Sequence, residues 1–224
     1  MMEVVTDSNG VHLQQGSGPA LRITARIISW IFHPIFIPLY CVGFIAYIHP
    51  TYLSGFSDFE RLKTILITLQ NAVFYPLLTV ALLKAVGFID SIYLHSSKDR
   101  IIPYIASGIF FFWTFTVFKE QTLYPRILAA FFLGIFLASS AALIANIYFK
   151  VSMHAIGAGG MLGICMLIMM SNTMLMSWPL ALALLIAGLV CTARLLLGSH
   201  RPLDIYAGLL IGIAMQAVAA LVIL

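Results

Sequence analysis

In the last third of this chain Arg194 is followed by five residues and His200, then by three residues and Asp204. Between Ile127 and Leu224 the only charged residues are Lys150, Arg194, Arg201 and Asp204, and three of these four fall within eleven positions. A charge at the centre of a membrane span costs about 2.5 to 3.5 kcal/mol on insertion scales, so a cluster kept in such a segment reads as functional. If Pro202 opens a helix, His200 and Asp204 stand four apart on one face, and the carboxylate can accept a hydrogen bond from the imidazole. A histidine held in this way keeps one tautomer and leaves its other nitrogen open for attack or proton transfer. Arg194 adds a planar fork of donors suited to phosphate oxygens, and Gly198 lets the chain turn tightly between two helices.

A second stretch, Lys150-Val151-Ser152-Met153-His154, puts another imidazole at the mouth of a helix. His154 has no acidic neighbour to hold its proton, which suits a donor to a leaving group. Ser152 and the free N–H groups opening that helix can hold phosphate oxygens. Gly159 and Gly163 follow at the spacing of close helix packing, which explains them better than a phosphate cradle does. A third stretch, Lys98-Asp99-Arg100 with Pro103 beyond it, either completes a positive bowl around a phosphate or forms an ordinary juxtamembrane cluster.

The elements that must position these groups follow from composition. Of 224 residues 62% are hydrophobic and only 9% charged. With a mean hydropathy of +1.03, this is an integral membrane chain rather than a soluble one. Lipid offers no partner to an unpaired backbone group, and the alternation of a barrel is missing, so the expected fold is all-α: a polytopic helix bundle of six to seven spans. Residues 1–21 read as a polar, mobile tail without the basic start and apolar core of a secretory signal, and 22–224 as a single transmembrane domain. Cys41, Cys165 and Cys191 sit in apolar stretches without metal-ligand spacing and read as packing residues. The net charge of +4 has no soluble basic region behind it, which points to membrane orientation or an anionic substrate and away from nucleic acid.

The apolar runs predict spans at 27–48, 64–87, 101–118, 127–149, 155–176, 180–197 and 203–224. Counting crossings puts 88–102, 149–155 and 198–204 on the face of the N-terminus, and 49–62, 119–126 and 177–179 on the other. His33-Pro34 and Pro38 mark the first segment as one that could kink or insert only partly. The basic residues divide almost evenly between the two faces, so the absolute orientation stays open.

These stretches resemble the three signature motifs of the type 2 phosphatidic acid phosphatase family, the membrane branch of the superfamily that includes the vanadium haloperoxidases. Its third motif, Ser-Arg, five residues, His, three residues, Asp, appears as Ala193-Arg194, His200 and Asp204, with the serine replaced. Its second, Pro-Ser-Gly-His, appears as Val151-Ser152-Met153-His154. The first, Lys, six residues, Arg-Pro, is matched least: Arg100 precedes Pro103 by three positions, Tyr93 stands where the lysine belongs, and Lys98 would act from a different place. Lys119 and Arg126 have the family spacing, but Ile127 follows them and the crossing count puts them on the far face.

The resemblance covers about residues 98–208 and implies a metal-independent, cofactor-free phosphatase acting on a lipid phosphate among membrane lipids. By position, His200 would attack phosphorus, Asp204 would orient it, and His154 would protonate the leaving oxygen. Arg194, Arg100, Ser152 and Lys98 would hold the phosphoryl oxygens, with Lys150 as a substitute cation. The family also implies an outward-facing site, in keeping with a bacterial cytoplasmic membrane. Two other readings stay open: a metal-dependent membrane hydrolase with His154, His200 and Asp204 as ligands, and a non-catalytic lipid-phosphate-binding or transport protein that retains the pocket.

Overall fold

A computed structural model describes residues 2–7, 10–15, 18–89, 97–171 and 177–224, with side chains for 18–89, 101–170 and 177–224. Among the described residues eight helices make up the bundle: α1 Pro19–Ile31, α2 Ile37–Ile48, α3 Asp58–Ala85, α4 Ser97–Glu120, α5 Arg126–Tyr148, α6 Met153–Ser171, α7 Ser177–Leu196 and α8 Pro202–Ile223. Six of them, α3 to α8, are long and apolar enough to cross a membrane. Ahead of the helices, β1 Met2–Asp7 and β2 Gly10–Gln15 pair antiparallel, so the polar opening read as a tail carries a hairpin. Val4, Val5 and Thr6 pair with Leu13, His12 and Val11, a run in which branched residues favour extended backbone.

The span expected at 27–48 is the one substantial correction. Helix α1 ends at Ile31, the backbone turns through 32–36, and α2 is only twelve residues long. Pro34 is the cause, since it disfavours helical backbone at His33 and has no N–H to continue the ladder. The turn is pinned by Phe36 N donating to the His33 carbonyl at 2.9 Å and by the Tyr40 hydroxyl donating to the Ile31 carbonyl at 2.8 Å. Helix α2 then runs away from the start of α6, where Pro34 and Ile37 abut Gly157, to the start of α7, where Phe44 meets Trp178. The other spans lie close to expectation, although α4 starts at Ser97, so Pro103 sits inside the helix instead of opening it.

Helices α5, α6 and α8 form the centre. Leu128, Phe131 and Phe132 of α5 are fully buried, while the leucines of α7 and α8 such as Leu184, Leu185 and Leu210 stay exposed to lipid. Helices α6 and α8 approach until backbone touches backbone. A β-carbon on Gly208 would lie 2.8 Å from the Ser152 carbonyl oxygen, and one on Gly159 would collide with the Leu209 carbonyl. The expected packing role of Gly159 and Gly163 is therefore met, with Gly208 and Gly212 as the matching pair on α8. Deeper in the bundle, buried Gln216 donates from Nε2 to the Phe131 carbonyl at 3.2 Å and ties α8 to α5. The close α6–α8 contact holds the N-terminal ends of both helices side by side, and those ends carry His154 and Asp204.

Candidate functional site

The loop between α7 and α8 is built by its glycine. Gly198 has φ +62°, the left-handed conformation that ends a helix without a β-carbon penalty. Gly198 N donates to the Leu195 carbonyl at 2.9 Å and Ser199 N to the Arg194 carbonyl at 3.3 Å, satisfying the last carbonyls of α7. The chain then extends at Arg201, and Pro202 starts α8.

His200 thus lies outside α8, one residue before its cap, and not on a helical face as expected. Its Nδ1 is nonetheless 3.6 Å from Asp204 Oδ2, with side chains only 8% and 13% exposed. The contact spans the capping turn, and the same carboxylate oxygen accepts from Arg201 N at 3.1 Å. Asp204 therefore does two jobs, back-capping α8 and facing an imidazole.

The α5–α6 connection is fastened directly to this loop. Ser152 N donates to the Asp204 carbonyl at 3.1 Å, and the Lys150 ammonium donates to the Ser199 carbonyl at 3.1 Å. Lys150 keeps two further donors and stays exposed beside His200. Ser152 is fully buried, and its hydroxyl oxygen accepts from Ala155 N at 3.4 Å, so its side chain works as the N-cap of α6. Its place explains the positioning of His154 two residues later.

His154 Nε2 donates to the Ser29 carbonyl at 3.1 Å. A carbonyl can only accept, so this nitrogen carries the proton and Nδ1 is left for chemistry. The His33 ring stands edge-on to His154, centroids 5.1 Å apart at 84°. His154 is within electrostatic reach of Arg194, His33 and His200, and Arg194 acts in turn on His33. Among the described residues, Arg194 Nε is buried without a hydrogen-bond partner, a donor in search of an anion.

Of the residues expected from sequence, the structure gathers His154, Arg194, His200, Asp204 and Lys150 at one rim and gives Ser152 a supporting place behind them. The side chains of Lys98 and Arg100 lie outside the described residues. Ser29 and His33 were not expected here; the signal for them was His33-Pro34 interrupting an otherwise apolar run. Among the described residues, no group of three His, Cys, Asp or Glu side chains is placed to hold a metal ion. No protein-family model matches this chain, and no match is found among curated proteins or solved structures.

The fold and these findings define an integral, multi-pass membrane protein with a cationic, two-histidine cluster at the rim of its helix bundle.

Proposed function

We propose that this protein is a membrane-embedded lipid phosphatase, cleaving a phosphomonoester or pyrophosphate of a lipid through a phosphohistidine. The observation that carries the reading is the fastening of two distant loops, Ser152 N to the Asp204 carbonyl, which keeps His154 within electrostatic reach of both His200 and Arg194.

With Asp204 facing Nδ1 of His200, Nε2 carries the lone pair that attacks phosphorus, and the 3.6 Å contact tightens as positive charge develops on the ring. The bond from phosphorus to the lipid oxygen breaks, and His154, whose Nδ1 takes up a proton from the singly protonated phosphate as it binds, delivers that proton to the leaving oxygen while Nε2–H stays on the Ser29 carbonyl. Water then attacks the phosphohistidine, passes a proton back to His154 Nδ1, and inorganic phosphate leaves with His200 restored. The Arg194 fork neutralises the equatorial oxygens, the main demand that phosphoryl transfer makes of a protein. The remaining proposals are that the site faces outward across a bacterial cytoplasmic membrane and that Lys98 and Arg100 join the phosphate contacts.

The test is phosphate release from a panel of phosphatidic acid, phosphatidylglycerophosphate, undecaprenyl pyrophosphate and phosphorylated lipid A, by wild type and His200→Ala. Release from one class, reduced at least about a thousandfold by the substitution, is the expected result. Equal release by both proteins removes His200 from the chemistry, and lipid-phosphate binding without release by either would indicate a binding or transport protein.

A further inference from the structure

We propose that His33 is a further substrate-binding residue of this site, its Nε2–H donating to an oxygen of the bound phosphate. The inference rests on the phosphatase reading and adds to it a ligand from a segment outside the region of motif resemblance.

Three observations lead there. Ile35 N donates to His33 Nδ1 at 3.4 Å, so the proton of the neutral ring is placed on Nε2, at the opposite edge of the imidazole. The ring lies against His154 at 5.1 Å while remaining exposed at the rim, so it borders the same space as the proposed proton donor. Arg194 acts electrostatically on both histidines, and its buried Nε has no partner among the described residues. An oxyanion placed between Arg194 and His154 has His33 as its neighbour. The supply of donors gives the phosphate a use for it: Ser152 is committed to the α6 cap, and Lys150 spends one of its donors on the Ser199 carbonyl. Burial of one side of the ring, and after it the Arg194 charge, hold His33 below the ordinary imidazole pKa. Near neutral pH it therefore acts as a neutral N–H donor, and an arriving dianion favours its protonated form.

The ring of His33 contributes one hydrogen bond to the turn that carries it, accepting from Ile35 N, but the turn has other holds. Pro34 and Ile37 fill the gap left by Gly157, and the Tyr40 hydroxyl holds the Ile31 carbonyl. His33→Ala therefore also removes one contact of the turn, and His33→Gln, whose side chain again offers an acceptor to Ile35 N, is the control for that loss.

The experiment measures vanadate binding to the purified full-length protein, together with lipid-phosphate release, for wild type, His33→Ala and His33→Gln. Glutamine can place an amide N–H near the Nε2 position, so it restores the donor without the imidazole. Loss of one hydrogen bond to a charged ligand corresponds to a weakening of about tenfold to a hundredfold in His33→Ala, with His33→Gln close to wild type. Vanadate affinity within twofold of wild type in His33→Ala overturns the proposal and leaves the phosphatase reading standing. Equal impairment of both variants also overturns it, since the ring would then be serving structure. Wild-type protein that neither binds vanadate nor releases phosphate removes the phosphatase reading and this inference together.

Discussion

His154 donates its Nε2 proton to the Ser29 carbonyl, 3.1 Å away and 125 residues earlier in the chain. His154 and His200 are thereby anchored by opposite nitrogens, His154 through Nε2 to a backbone oxygen and His200 through Nδ1 toward a carboxylate. A neutral carbonyl orients a ring without stabilising its charge as a carboxylate does, which suits His154 to give a proton away and His200 to accept positive charge. Helix α1, which is not among the six long apolar helices, supplies the carbonyl, so the orientation of the His154 ring on α6 depends on a segment outside that set.

Replacing His154 by Ala should cost the general-acid contribution, roughly a hundredfold to ten-thousandfold, on a lipid phosphate with a poor alkoxide leaving group. An aryl phosphate whose leaving oxygen needs no proton should lose far less. Parallel rate measurements on the two substrate types check this, and equal losses on both would remove His154 from the acid role.

Asp204→Asn keeps an acceptor for Arg201 N and so the α8 cap, but takes away the charge facing His200. Phosphate release should drop by a hundredfold or more, on the order seen when a histidine loses its orienting carboxylate, while thermal stability in detergent stays near wild type. Asp204→Ala should add a loss of about 1 kcal/mol in stability from the missing cap. The comparison separates the two jobs of this side chain.

Gly208→Val pushes a side chain into the Ser152 carbonyl, 2.8 Å from the new β-carbon. The strand of backbone that holds His154 must then move away from α8. Overpacking of this kind costs about 1 to 3 kcal/mol, and shifts of an ångström at a site can cost a hundredfold in rate. Both a lowered melting temperature and a large loss of phosphate release are expected, although Gly208 carries no functional group.

His49 offers a pH test away from the site. Its ring is buried, lies tilted by 33° against Tyr52 with centroids 4.4 Å apart, and accepts from Thr51 N through Nδ1 at 3.3 Å. Burial holds its pKa below the ordinary imidazole value. The unfolded chain then takes up the proton first, so stability is fully present above the unfolded pKa of about 6.5 and declines as pH falls below it. Melting temperature should fall between pH 7 and pH 5 in wild type, and the fall should be shallower in His49→Phe. A slope unchanged by the substitution would assign the acid sensitivity to another group.

Sequence alone determined the class of this protein, because apolar run length and the near absence of charge are set residue by residue and need no partner to be read. It also determined that Lys150, His154, Arg194, His200 and Asp204 belong to one rim, since counting crossings depends only on where the runs stop, and the spans from α3 to α8 stop close to where hydropathy says they do. The tight turn at Gly198 was legible for the same local reason. Tertiary structure decided the rest. Whether the run at 27–48 crosses or folds back depends on what Pro34 meets, and it meets the gap at Gly157. Ser152 becomes a buried cap, and His200 faces Asp204 across a turn instead of along a helix, because α8 begins only at Pro202. The approach of His33 and Ser29 to His154 follows from packing between segments more than a hundred residues apart, and no local pattern in either segment encodes its partner.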